Sequence, residues 1–197
     1  MDLFRDDFII QTQPKVNPYI IFIDDTIDHF TSSNIVLGLL IKPTLPFQLK
    51  LSKPAYKVWV SNPNYFDGYD DTLGISEHGF LMLTKFMKLY NNEVKSIILD
   101  WDKTLTVHKT FRAKEMNKNI AECYFGGLRR MKVMREFFRI CQRKNINVSV
   151  LTCNSRARTE NHIFMKALTF LNANNIKVQF TDKIKVPQIN SGDIIES

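Results

Sequence analysis

Two carboxylates two positions apart, Asp100 and Asp102, follow the apolar run Ile97-Ile98-Leu99 and precede Lys103-Thr104-Leu105-Thr106. Acids delivered together at the end of a hydrophobic segment can serve nucleophilic and general acid–base chemistry. Two more acids, Asp24 and Asp25, end another apolar run, Ile20-Ile21-Phe22-Ile23. Two further stretches with the look of strands, residues 147–151 and 176–180, lead into Thr152-Cys153-Asn154 and Thr181-Asp182-Lys183. Other groupings are poorer. His29, His78, His108 and His162 show no ligand spacing with one another or with Cys123, Cys141 and Cys153. Asp67, Asp70 and Asp71 lie in a Gly- and Asn-rich stretch and read as turn residues, not as a calcium loop. No glycine-rich dinucleotide or P-loop motif is present.

The elements that must position these groups are short apolar runs rich in β-branched residues and stretches of helical spacing. Strands are expected at residues 19–23, 34–42, 57–60, 96–99, 147–151 and 176–180. Helices are expected at 80–90, 128–144 and 156–174, and residues 62–79, crowded with Asn, Pro, Gly and Asp, read as a long loop. Strand, helix, strand, helix, strand with short connections implies right-handed crossovers and a parallel sheet. Polar residues at the carboxyl ends of such strands collect in one crevice, where Asp100, Thr152 and Lys183 fall. The expected fold is therefore α/β, one domain spanning 1–197, with residues 1–60 adding strands to the sheet that carries 94–185.

Residues 97–106 resemble the first motif, hhhDxDxT, of the haloacid dehalogenase (HAD) superfamily of phosphohydrolases. The resemblance covers about residues 94–185 and implies a Rossmannoid three-layer sandwich with a mostly parallel central sheet and little or no cap. It implies that Asp100 attacks phosphorus and, with Asp102, holds Mg²⁺, which offsets the repulsion between the two acids. Asp102 would also protonate the leaving oxygen and then activate water. Thr152 matches the second motif, a hydroxyl that binds phosphate oxygens with neighbouring backbone N–H groups. Lys183, with Lys185 as the alternate, matches the third, and Thr104, Asn154 and Lys185 complete the implied substrate-binding set. A fourth, acidic motif is expected after the lysine, where Gly192-Asp193 leaves too little chain for a helix and a strand. The run ending in Asp24-Asp25 resembles the family's hhhhDD form instead. The motifs are thus expected to be circularly permuted, with Asp24 and Asp25 completing the metal site beside Asp100.

Composition narrows the alternatives. The chain has 197 residues, 44% hydrophobic and 24% charged, enough to bury a core. Three cysteines without a CxxC pair read as reduced thiols, and no apolar run approaches the roughly 20 residues that span a bilayer. The acidic start, Asp2 to Asp7, lacks the basic region of a secretory signal, so an intracellular location, cytoplasmic or nuclear, is expected. The net charge of +7 is concentrated in residues 103–144, where twelve basic residues face only Glu115, Glu122 and Glu136. Such a segment favours a phosphorylated macromolecule, protein or nucleic acid, as partner. Two other functions share these residues. One is a catalytically inactive HAD-like domain that binds nucleic acid or protein. The other is a receiver-like phosphoacceptor, because Asp24-Asp25, Asp100, Thr152 and Lys183 occur in the order receivers use.

Overall fold

The computed structural model describes residues 2–15, 18–31, 33–42, 74–90, 93–107 and 116–182. Six strands make one sheet: β1 (Phe8–Thr12), β2 (Ile20–Asp24), β3 (Val36–Ile41), β4 (Ser96–Leu99), β5 (Asn147–Thr152) and β6 (Lys177–Phe180). Their spatial order is β1-β3-β2-β4-β5-β6, with β1 antiparallel to β3 and every other pair parallel. The protein is therefore α/β with a mostly parallel, Rossmann-like sheet. Every residue of β2 and β3 is buried, which explains why both read as continuous apolar runs instead of alternating ones. Gly38 of β3 lies beside Thr12 and the Phe30 ring, and a Cβ there would come within 2.8 Å of both.

The described residues include five α-helices: α1 (Glu77–Leu89), α2 (Lys118–Tyr124), α3 (Leu128–Arg143), α4 (Arg156–Thr159) and α5 (Asn161–Thr169). The Ser76 side chain accepts the Gly79 amide, so α1 begins three residues before the apolar spacing alone indicates. The chain enters α3 through Gly126 and Gly127 at φ 75° and 93°, a left-handed path that side chains avoid. The single helix expected at 156–174 is instead two, interrupted at Glu160 (φ −125°, ψ 31°), and the second ends at Thr169.

Side chains from one face of the sheet, among them Ile21, Ile23, Leu37, Leu39, Ile97, Leu99, Val148, Val150 and Val178, pack against α1, α3 and α5 in one core. Burying each such side chain stabilises the fold by about 1.5–3 kcal/mol. The other face carries a small cluster of Ile20, Phe22 and Val36 with Phe30, Ile35, Ile98 and Leu151 packed on it. Among the described residues, then, helices form a layer on one face only, and the third layer expected from sequence is not seen. Two other expectations, the strand at 57–60 and most of the 62–79 loop, lie outside the described residues. Edge strand β1, whose Ile9 is exposed, was not expected from sequence.

The basic segment also divides. Arg130 is buried, not a surface charge. Arg129 pairs with Glu77, Arg139 with Glu136, and Arg135 donates to the Phe170 carbonyl. Because α3 links two parallel strands, it runs back along the sheet and leaves Arg143 and Lys144 at the end opposite the carboxyl tips of β4 and β5. Among the described residues of 103–144, the basic side chains therefore do not all gather beside those tips.

Candidate functional site

Strand β2 ends in Asp24, and the next residue is Asp25; β4 delivers Asp100 immediately after Leu99. The two strands are parallel neighbours, Ile23 opposite Leu99, and the Asp100 amide donates to the Ile23 carbonyl at 3.0 Å. The chain leaves β2 toward β3 on one side and returns to β4 on the other. This makes the β2–β4 boundary a topological switch point, where open α/β sheets place their ligands. There, one carboxylate oxygen from each of Asp24, Asp25 and Asp100 lies within 4.8 Å of the others. Asp24 is fully buried and Asp100 nearly so.

Burial and crowding raise the proton affinity of Asp100 and Asp25. Burial, then the charges of Asp24, Asp102 and Asp25, push the Asp100 carboxyl well above the usual range. Burial and Asp24 push Asp25 up to about 6, against the opposing pull of the Lys103 ammonium and a hydrogen bond from Thr26. An all-oxygen set of converging carboxylates fits a hard divalent cation such as Mg²⁺, whose charge would relieve the repulsion. Asp24 is held from two sides: the Thr26 amide donates to Oδ1 and His29 Nδ1 sits 2.8 Å from Oδ2. That contact, ahead of the opposing effect of burial, raises the His29 pKa.

The site acid next in sequence stands apart from the trio. Asp102 accepts a hydrogen bond from Asn154 Nδ2 at 3.1 Å and is not one of the three acids whose oxygens converge. Asn154 is a positioning group: its amide donates to Thr152 Oγ1, and its Oδ1 accepts the Arg156 amide. The turn over Trp101–Leu105 kinks at Asp102 and places Lys103 at φ 57°. Thr106 pins it, accepting from the Lys103 amide and donating to the Trp101 carbonyl. Thr104, expected to bind substrate, is fully buried beneath this turn because its carbonyl is held by the Ile75 amide and Arg130.

Asp25, Thr26, His29, Asp100, Asp102, Lys103, Thr152, Cys153 and Asn154 line one pocket of about 220 Å³. The structure thus brings together Asp24, Asp25, Asp100, Asp102, Thr152 and Asn154, whereas Lys183, Lys185 and Asp193 lie outside the described residues. His29, set aside on spacing, reaches the site because Asp24 folds back onto Thr26; an Asp-x-Thr turn is the signal that could have found it. Comparison with protein-family models, with curated proteins and with solved structures finds no match.

The pKa shifts fix the sign of a stability test. Asp25, Asp100 and His29 all bind a proton more tightly in the folded chain than in the unfolded one. Their protonation therefore favours the fold at low pH, and that contribution is lost as pH rises, for Asp25 across about 4 to 6. The melting temperature of the metal-free protein is expected to fall between pH 5 and pH 7.5. Millimolar Mg²⁺ is expected to restore it at pH 7.5 and to do little at pH 5, where protons compete. Scanning calorimetry with EDTA and with Mg²⁺ checks both; a metal-free melting temperature that rises over this interval contradicts the shared site.

Proposed function

We propose that this chain is a Mg²⁺-dependent phosphohydrolase that works through an aspartyl-phosphate on Asp100. The observation that carries the reading is the division of labour among the acids. Asp24, Asp25 and Asp100 converge as a metal-ligating set, while Asp102 lines the same pocket, oriented by Asn154. A bound cation would be held by the three converging carboxylates and would supply charge neutralisation. Asp100 then attacks phosphorus as the bond to the leaving oxygen breaks, and protonated Asp102 gives that oxygen its proton. In the second half, Asp102 takes a proton from the attacking water, and the bond from phosphorus to Asp100 breaks, releasing inorganic phosphate. Thr152, at the tip of β5, lines the same pocket and would donate to phosphoryl oxygens.

Counted from β4, the parallel strands run β4, β5, β6, β2, β3 and lie in the order 3-2-1-4-5. That supports a HAD-like domain with circularly permuted motifs. Counted from β2 they lie in the order 2-1-3-4-5, the flavodoxin-like arrangement, which favours a receiver-like phosphoacceptor as the second reading. Both readings use the same trio of acids and part at Asp102, since storing a phosphoryl group needs no general acid. The described inserts around the pocket are short (α2 on one side, α4 and α5 on the other), in keeping with a macromolecular phosphoester as substrate.

Hydrolysis of an aryl phosphate with Mg²⁺, abolished by EDTA, is the expected result. Stoichiometric phosphorylation by acetyl phosphate with no turnover would favour the receiver; neither activity would favour a binding domain. Turnover of phosphopeptides or 5′-phosphorylated oligonucleotides above that of sugar phosphates is expected for the substrate class.

A further inference from the structure

Lys103 occupies a backbone conformation that lysine disfavours. At φ 57° it sits in the left-handed region, where a side chain other than Gly, Asn or Asp costs roughly 1–2 kcal/mol. Such strain at a pocket wall points to what the side chain does there. Lys103 is half-buried and lies between the proton-transfer acid Asp102 and the buried Thr104. It lines the pocket together with Asp25 and His29. Among the described lining residues, Lys103 and His29 are those that can carry positive charge, and His29 is directed at Asp24.

We propose that Lys103 is a substrate-binding residue whose ammonium receives the non-bridging oxygens of the phosphoryl group. The inference rests on the phosphohydrolase reading and assigns the anion-binding side of that site. Four carboxylates meet in or beside this pocket, and one divalent cation neutralises only half their charge. A phosphate dianion would enter against a net negative field without a further cation. Lysine suits the task as a point charge on a flexible stem that can follow the phosphoryl group as it moves. In the absence of substrate its charge falls on Asp25, whose proton affinity it lowers.

The test uses inorganic phosphate, the reaction product, titrated calorimetrically into Mg²⁺-loaded protein. Lys103→Asn removes the charge while keeping a residue that accepts the left-handed backbone, and Lys103→Arg keeps the charge. Phosphate binding is expected to weaken about tenfold or more in Lys103→Asn and to stay within about threefold in Lys103→Arg. The KM for aryl phosphate should rise with it, while the melting temperature of Lys103→Asn is unchanged or higher. Wild-type phosphate affinity in Lys103→Asn, alongside intact Mg²⁺-dependent hydrolysis by the wild type, overturns this inference alone. A wild type that neither binds phosphate nor hydrolyses the ester overturns the phosphohydrolase reading and this inference together.

Discussion

Asp100→Asn is expected to reduce phosphatase activity by about 10⁴-fold or more while making the metal-free protein more stable. The amide is nearly isosteric with the carboxylate but is a poor nucleophile and a neutral, weaker metal ligand. Stability moves the other way because Asp100 is buried against Asp24, Asp102 and Asp25, all of which oppose its ionisation. Removing one charge from that cluster relieves repulsion that only a cation otherwise offsets. The two effects together separate a functional acid from a structural one, since a structural carboxylate lost from the core would lower the melting temperature. Aryl phosphate turnover and calorimetry at pH 7.5 in EDTA are the measurements. More than about a tenth of wild-type activity in the variant would remove Asp100 from the nucleophile's role.

Arg130→Met is expected to destabilise the protein by about 3–5 kcal/mol in urea unfolding. The buried guanidinium donates to four carbonyls: Nε to Ile75, Nη1 to Leu105 and Phe125, and Nη2 to Thr104. It also lies 5.3 Å from the centre of the Phe80 ring. Burial pushes its pKa down to about 9, so it remains a cation at neutral pH. One side chain thereby ties the segment before α1, the end of α2 and the Trp101–Leu105 turn to α3. Gly74 closes the same knot: at φ 75°, a Cβ there would come 2.6 Å from the Thr106 carbonyl and 2.8 Å from Arg130 Nη2. Methionine fills much of the volume but removes the Arg130 donor from four buried carbonyls, of which that of Thr104 keeps the Ile75 amide. Lysine, with one ammonium, should recover part of the loss. A cost below about 1 kcal/mol would mean that this network does not hold the turn.

How much of this was legible in the sequence depends on the range of the forces involved. Strands β2 and β3 announced themselves because full burial demands unbroken apolar runs, and β5 and β6 because their buried positions alternate with exposed or partly exposed ones. Asp24 and Asp25 could be placed beside Asp100 only by resemblance, since no local pattern says that β2 and β4 are neighbours. Edge strand β1 was missed because pairing on one side leaves Ile9 exposed and the hydrophobic pattern weak. Arg130 looked like one more surface charge on a basic helix. Nothing in i, i+3 spacing shows that its neighbours in space are carbonyls from three separate segments. The role of Asn154 in orienting Asp102 was equally invisible, being a contact between two loops.

The ladder between β2 and β4 is only four residue pairs long, from Ile20–Ser96 to Ile23–Leu99, and the acid cluster sits just past its last rung. Side chains alternate faces along a strand, so sliding either strand by one position would turn Asp24 or Asp100 away from the other. Alignment of this short ladder is therefore a setting of the reaction centre itself. Packing defects at its distant end, around Ile20 and Tyr19, would be felt as lost chemistry before they were felt as lost fold.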